Sequence, residues 1–334
     1  MKNVLVILLL LGGAVALVGR MLTSMPGLAF TGALPALTEE EADCAEALRD
    51  HVETIGRDIG ARGRHAPDKL EAAEDYLTQR LRQAGLTPEA FRYESGGQGA
   101  LDLVCEIPGT RARDEVVVVG AHYDSAARSP GADDNASGCA VLLEIAEALG
   151  GSAYERTLRF VLFSNGALPY AGTPASGARA YAKVAHERGE KIVLMISLDS
   201  LGSFRSAPKT QSVPFPLQAC YPDRGDFVAF VGDLSSRTNL TRSVETFRKV
   251  ARFPSEGLVL PAWAPGFAAT DDASFRAEGF PALRITDTGT WRHTHSGTIS
   301  DTADRIDYEP MARVTLGLAR MIAELVQKRV DLRP

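Results

Sequence analysis

An α/β fold, with a mostly parallel central sheet covered by helices on both faces, is the architecture that the sequence predicts. Short apolar runs alternate along the chain with longer segments of helical periodicity, as in proteins whose helices connect parallel strands. The run Val116–Val119 is apolar at every position, which is typical of a strand buried on both faces. Of the 334 residues, 45% are hydrophobic and 23% are charged, a globular composition that excludes disorder, collagen and coiled coil.

Five segments have the periodicity of amphipathic helices. In the first, Leu37–Thr54, Thr38 is placed as an N-cap and Glu41 follows three residues later, which is the pattern of a capping box. The second, Leu70–Leu86, places its apolar residues on one side. The other three predicted helices are Cys139–Leu149, Ala175–Glu187 and Met311–Arg329.

Six shorter segments have the character of strands. They are Leu101–Ile107, Val116–Val119, Leu158–Ser164, Ile192–Leu198, Phe227–Val231 and Ala282–Thr286. The stretch Phe204–Asp223 contains four prolines and predicts a surface loop. Because no change of composition divides the chain, we expect a single domain, 34–334, behind a separate N-terminal segment, 1–33.

The N-terminal segment has the features of an export signal. Lys2 precedes an apolar run, Val4–Val18, which is as long as a signal-peptide core and shorter than the roughly 20 residues that span a bilayer. Thr31 and Ala33 form only a loose cleavage motif. We therefore expect this segment to stay as a transmembrane anchor that holds the domain outside the cytoplasm. A cleaved signal peptide, leaving a secreted or periplasmic protein, is the alternative.

Charge and cysteine content exclude two further kinds of site. Lys and Arg total 36 against 42 Asp and Glu, and the net charge of −6 comes with no basic stripe, so no nucleic-acid partner is expected. The four cysteines lie far apart with no CxxC pair, so a thiolate zinc site is not expected either.

Histidine and carboxylate side chains follow two of the predicted strands. His122 and Asp124 come after the Val116–Val119 run, Asp134 lies in the next loop, and Asp199 follows the strand Ile192–Leu198. Because ligands collect at the carboxyl ends of parallel strands, we expect these side chains to lie together. Imidazole and carboxylate groups suit Zn²⁺, and a carboxylate next to a ligating histidine can orient its ring.

The sequence around these residues resembles the co-catalytic zinc aminopeptidase family, which includes glutaminyl cyclases and the ectodomain of transferrin receptor. The first block is VVVVGAHYDS followed by SPGADDNASGCAVLLEIAEAL, and the later blocks are ISLDSLGSF, YPDRGDFVAFVG, TDDASFRAEGFPAL and HTHSGTISDTADRIDY. The resemblance covers roughly 37–323. It implies a zinc-exopeptidase-like (phosphorylase/hydrolase-like) architecture. It also implies hydrolysis of N-terminal peptide bonds at a site that holds two metal ions.

The resemblance assigns a role to five residues. His122 matches a zinc ligand, and Asp124 matches the aspartate that orients this histidine. Asp134 matches the carboxylate that bridges both metals, and Asp199 matches the ligand that completes the His122 site. Asp271 matches an aspartate that hydrogen-bonds near the metals without binding them.

The last histidine ligand of the family requires an assumption about the alignment. Without a gap, Gly297 occupies its place and cannot bind metal. A two-residue insertion after Ser296 places His295 there instead, and we prefer this insertion because His293, His295 and Ser296 reproduce the local pattern.

The family also carries two consecutive glutamates after the strand Leu158–Ser164, one the general base and the other a ligand of the second zinc. Here Gly166 and Ala167 stand in those places, and the base is absent unless Asp133 or Asp272 reaches the site. We expect the backbone to aim positions 166 and 167 at the metals, so that a glutamate at either one restores its function. One zinc ion rather than two is expected.

Three functions remain open from the sequence. The chain is an exported metallohydrolase of the aminopeptidase type, weakened or inactive, with peptide or protein N-termini as its partners. Alternatively, it is an inactive binding pseudoenzyme on the same scaffold, or a single-zinc acyl transferase resembling glutaminyl cyclase.

Overall fold

One eight-stranded sheet forms the centre of the computed structural model, which describes residues 12–13, 17–214, 217–219, 221–261, 264, 267–327 and 330–332. The strands are β1 (Glu89–Ser95), β2 (Gln98–Ile107), β3 (Ala112–His122), β4 (Arg156–Phe163), β5 (Lys191–Leu198), β6 (Val228–Asp233), β7 (Ser255–Leu260) and β8 (Ala282–Thr286). Their order in the sheet is β1-β2-β4-β3-β5-β8-β6-β7. The central strands β4, β3, β5 and β8 are parallel, whereas β1 and β2 run antiparallel to their neighbours and β6 runs antiparallel to β8.

Two strands at the sheet edges were not predicted. β1 (EAFRYES) is largely solvent-exposed and charged, so it lacks the apolar run of a buried strand. β7 (SEGLVL) is mostly buried, but it begins with Ser255, Glu256 and Gly257, so its apolar run is three residues long. In the part of the chain that the structure describes, it pairs with β6 alone.

The α-helices that follow residue 38 in the described chain are α1 (Glu39–Val52), α2 (Pro67–Gln83), α3 (Gly138–Leu149), α4 (Gly177–Glu187), α5 (Arg237–Val250), α6 (Asp271–Ala277) and α7 (Tyr308–Val326). The sequence predicted five of them and missed α5 and α6. The expected capping box begins α1: the Thr38 hydroxyl accepts the Glu41 N–H at 3.2 Å, and the Glu41 carboxylate accepts the Thr38 N–H at 2.9 Å.

Helices cover both faces of the sheet, as predicted. Alternate residues of β3 belong to different clusters of the core: Val117 and Val119 pack with α1, α2, α3 and α7, and Val116 and Val118 pack with α4 and with Phe275 of α6. All four valines are at least nine-tenths buried. This placement explains why the run contains no polar residue.

The described residues of the stretch Phe204–Asp223 form no long helix or strand, but the prediction of a surface loop is wrong for several of their apolar side chains. Val213, Leu217 and Tyr221 are buried and pack in one cluster with Phe227 and Phe267. The prolines prevent regular hydrogen bonding of the backbone, whereas the apolar residues between them still gain by leaving water. These residues therefore pack onto the rest of the domain beside the carboxyl ends of the strands.

Most of the apolar run Val4–Val18 lies outside the described residues. Within the described part of the chain, no helix is both long enough and apolar enough to cross a membrane. Residues 17–23 are helical, and the segment that follows packs along the sheet edge, where the Arg248 guanidinium donates to the carbonyls of Pro26 and Gly27 at 3.0 and 3.1 Å.

Candidate functional site

His122, Asp134 and Asp199 meet at the carboxyl edge of the sheet. His122 ends β3, Asp199 directly follows the neighbouring parallel strand β5, and Asp134 lies in the loop before α3. One ligand atom from each lies within 4.8 Å of the others, and these three form the potential metal-binding group found among the described residues. The parallel pairing of β3 and β5 brings the side chains together, as the sequence predicted.

The geometry of this group fits a zinc ion. The Nε2 atom of His122 lies 3.3 Å from Oδ1 of Asp134. Ligand atoms bound to one tetrahedral zinc at about 2.0–2.1 Å are separated by about 3.3 Å, so these two atoms are already at the required spacing. One imidazole and two carboxylates, with a fourth position open, are the donors expected of a catalytic rather than a structural zinc site.

Asp124 holds the backbone that follows β4. Its carboxylate accepts the N–H groups of Gly166 at 2.7 Å and Ala167 at 3.1 Å. Nδ1 of His122 lies 3.1 Å from the Asp124 carbonyl oxygen and 3.5 Å from its carboxylate. Burial opposes a charge on His122, but its hydrogen bonds to Asp124 and Asp134 outweigh this effect and raise the pKa of the imidazole well above its usual value.

Gly166 has no room for a side chain. His122 and Phe163 are paired in the β3–β4 register, so the residues after Phe163 lie beside the histidine. A Cβ atom at position 166 would come within 2.5 Å of the His122 Cγ and closer still to its Cβ. The expectation that this position aims a side chain at the metals is therefore wrong, because the Cα–Cβ direction points into the ligand itself. The left-handed backbone at this turn belongs to Asn165, at φ 56°.

Neither proposed substitute for the general base reaches the metal group. Asp133 is fully buried, with one carboxylate oxygen accepting the Gly202 N–H at 2.8 Å and the other 2.8 Å from Nδ1 of His293. Asp272 is fully buried and forms an ion pair with Arg276. Asp133 is held by residues distant in the sequence, whereas the partner of Asp272 lies one helical turn away in α6.

Asp271 begins α6 and is 5% exposed. Burial raises the pKa of its carboxyl to about 7, against the opposing charge of His122. Its Oδ2 atom has no hydrogen-bond partner in the described structure. The hydrogen bond that the resemblance implies for Asp271 is therefore not seen at this oxygen.

His295 does not join the metal group. Its ring packs edge-to-face on His293, with 5.8 Å between ring centroids. Ser296 faces the bridging carboxylate instead, with its hydroxyl 3.4 Å from Oδ2 of Asp134. Among the residues assigned to the second metal, Asp134 alone belongs to the group.

Two arginines at the site were not predicted from the sequence. Arg62 is fully buried and donates to the carbonyls of Tyr123, Pro130 and Gly131 at 2.6, 2.7 and 3.1 Å, which ties the end of β3 to the loop that carries Asp134. Arg284 in β8 lies 3.3 Å from Oδ2 of Asp199. A charged residue inside the apolar strand ALRIT was the available signal for Arg284.

A cavity of about 220 Å³ opens beside the metal group. Its described lining includes Asp134, Asp199, Tyr221, Phe267, Arg284 and Trp291. Tyr221 of the stretch Phe204–Asp223 therefore contributes to the wall of the cavity. Val231 of β6 and Leu258 and Leu260 of β7 add further apolar surface.

Proteins of similar sequence include an uncharacterized bacterial protein and a probable leucine aminopeptidase. The chain is 31% identical over 291 residues to the uncharacterized protein YfbL of Escherichia coli, covering 83% of this chain and 87% of that protein. It is 27% identical to a probable leucine aminopeptidase of Trichophyton verrucosum, covering 67% of this chain and 61% of the relative.

Aminopeptidases, one of them described as a zinc enzyme, and a glutaminyl cyclase are among the similar solved structures. They include the Legionella pneumophila LapA aminopeptidase (TM-score 0.66, 19% identity, 91% of this chain and 78% of that chain) and the Bacillus subtilis zinc aminopeptidase BSAP (TM-score 0.67, 14% identity, 86% and 96%). A third is the Tannerella forsythia glutaminyl cyclase (TM-score 0.60, 18% identity, 85% and 98%). The sequence model of peptidase family M28 matches residues 102–322. The chain belongs to peptidase family M28 and has the fold of its zinc aminopeptidases.

Proposed function

We propose that this M28 protein binds one zinc ion through His122, Asp134 and Asp199, accepts peptide N-termini in the adjoining cavity, and hydrolyses them weakly or not at all. The observation that carries the proposal is the turn after β4. The Asp124 carboxylate is held by backbone N–H groups of Gly166 and Ala167, and position 166 has no space for a glutamate.

The residues of the chain perform separate tasks in this proposal. A zinc ion held by His122, Asp134 and Asp199 would polarise a carbonyl group as a Lewis acid. Asp124 fixes the loop against which the His122 ring rests, and Arg62 fixes the loop that carries Asp134. Tyr221, Phe267 and Trp291 give the cavity an apolar wall against which a side chain of the ligand packs.

Proton transfer is the missing task. Positioned acid–base catalysis contributes about 10²–10⁴-fold to enzymatic rates, so the loss of a base lowers turnover without removing ligand binding. Asp133 and Asp272 are held by His293 and Arg276 and are not among the described residues that line the cavity. A peptide-binding protein with residual activity is consistent with this arrangement.

Acyl transfer of the glutaminyl cyclase type is the second candidate. The similarity to the Tannerella forsythia enzyme over 85% of this chain supports it. Conversion of a peptide with N-terminal glutamine to its cyclised product by the zinc-loaded protein would favour this candidate over peptide hydrolysis.

Export is part of the proposal and depends on the Lys2-led apolar run. We propose that the domain lies outside the cytoplasm, tethered by residues 4–18. N-terminal sequencing of protein from the native host tests this placement. A mature chain that starts near Leu34 would rule out the anchor and leave a secreted or periplasmic protein.

Metal content and peptidase activity together test the proposed function. The wild-type protein is expected to hold one zinc ion per chain and to hydrolyse aminoacyl reporter substrates near background. Asp199→Ala should lose the metal, whereas Asp114→Ala, at a side chain that is 75% exposed, should keep it. Two tightly held zinc ions, together with robust hydrolysis that Asp134→Ala abolishes, would contradict the proposal.

A further inference from the structure

Arg284 places a positive charge in the wall of the cavity. It belongs to β8, in register with Ser197 of β5 and so close to Asp199, which lies two residues further along. Its side chain is 20% exposed, and its one ion-pair partner in the described structure is Asp199, 3.3 Å away. The Nε atom is buried and has no hydrogen-bond partner there. A guanidinium group has five N–H donors, so most of its donor capacity is unused.

The rest of the cavity suits the body of one amino-acid side chain. Val231, Leu258, Leu260 and Phe267 line it with apolar surface. Tyr221 is 8% exposed, and its hydroxyl has no hydrogen-bond partner in the described part of the chain. A volume of about 220 Å³ is large enough for one amino-acid side chain. A buried hydroxyl without a partner is costly, and a polar ligand atom would satisfy it.

The charges that line the cavity favour an anion once metal is present. Arg284 is the one positively charged residue of the described lining, and Asp134 and Asp199 are its two carboxylates. These three sum to −1, and a zinc ion changes the sum to +1. The attraction between a guanidinium and a carboxylate is strongest when both groups are shielded from water. The Arg284 side chain is four-fifths buried, so a carboxylate bound beside it would be shielded in this way.

We propose that this cavity binds a carboxylate of the ligand, with Arg284 as the residue that recognises it. The proposal rests on the proposed function, because the ligand is taken to be held beside the zinc ion. The planar guanidinium keeps its contact with Asp199 and offers its remaining N–H groups to the ligand. Two sources supply this chemistry: the side chain of an acidic first residue in a peptide, or the α-carboxylate of a free amino acid.

Calorimetric titration of the zinc-loaded protein tests the proposal. The probes are the amides of Glu-Ala-Ala and Gln-Ala-Ala, which differ in charge but hardly in shape, and the pair leucine and leucinamide, which differ in the α-carboxylate. A hydrogen bond to a charged group contributes enough to predict at least about tenfold tighter binding of the preferred carboxylate partner. Preference for the glutamyl peptide assigns the side chain, and preference for leucine assigns the free amino acid.

Variants show whether Arg284 is responsible. Arg284→Met should remove the preference, and Arg284→Lys should retain part of it, because lysine keeps the charge and loses the planar donor group. Arg111→Met, at a side chain that is 81% exposed, is the matched control and should retain the full preference.

Zinc content of the same samples separates this proposal from the proposed function. If the wild type holds zinc but binds both members of each probe pair equally, the carboxylate site is overturned and the metal site is not. If Arg284→Met loses zinc but keeps the preference, Arg284 serves Asp199 alone and the proposal is again overturned. If the wild type binds no zinc, the proposed function fails, and the carboxylate preference is then decided by the same titrations on metal-free protein.

Discussion

Substitution of Gly166 tests the local geometry on which the proposed function depends. Carbon atoms in contact are separated by about 3.5–4.0 Å, whereas a Cβ at this position would lie 2.5 Å from the His122 Cγ. Either the histidine or the turn after β4 must move. Overpacking of this kind costs about 1–3 kcal/mol in the free energy of unfolding. Movement of the turn also strains the 2.7 Å hydrogen bond from the Gly166 N–H to Asp124.

The expected result is a loss of both stability and metal. With an unfolding entropy of about 2.1 cal/mol/K per residue, Gly166→Ala should lower the Tm of the 334-residue chain by about 1–4 °C. Displacement of His122 should also reduce zinc content. Gly166→Glu should behave at least as badly and should not restore hydrolysis. Differential scanning calorimetry and elemental analysis measure the two effects.

Gly99 provides the matched control. A Cβ atom there meets nothing within 4 Å, so Gly99→Ala should leave both Tm and zinc content unchanged. A Gly166→Ala variant with wild-type Tm and full zinc content would refute the geometric argument. So would a Gly166→Glu variant that gains peptidase activity, because a side chain at this position would then reach the metal without displacing its ligand.

Three further substitutions probe other parts of the molecule. Ala167→Glu introduces no new Cβ and should raise the zinc content, measured by elemental analysis, from one ion toward two. Reporter hydrolysis should stay near background because no base is added, and robust hydrolysis would contradict this expectation. Arg62→Ala removes hydrogen bonds to five carbonyls, so it should lower the free energy of unfolding, measured in urea, by at least about 3 kcal/mol and should weaken zinc binding. Unchanged zinc affinity would show that Arg62 does not hold the loop that carries Asp134. Thr38→Ala removes the capping box of α1 and should cost about 1 kcal/mol with zinc content unchanged, and a loss of metal would show that α1 is coupled to the site.

Local sequence patterns determined the centre of the fold and the metal group. A strand buried on both faces must be apolar throughout, so Val116–Val119 identified β3 without any knowledge of its neighbours. The residues that follow parallel strands share one edge of the sheet, so His122, Asp134 and Asp199 could be grouped from their positions in the sequence alone. The replacement of both glutamates by Gly166 and Ala167 could also be found from the sequence, through its resemblance to the zinc aminopeptidase family.

Only the tertiary structure decided where side chains point and which partners they already have. Gly166 lies next to His122 because β3 and β4 are neighbours, and the direction of its missing Cβ depends on that pairing. Asp133 is held by His293, 160 positions away in the sequence, and Arg284 reaches Asp199 from another strand. Such contacts depend on the packing of elements distant in sequence, which periodicity and spacing along one segment do not encode.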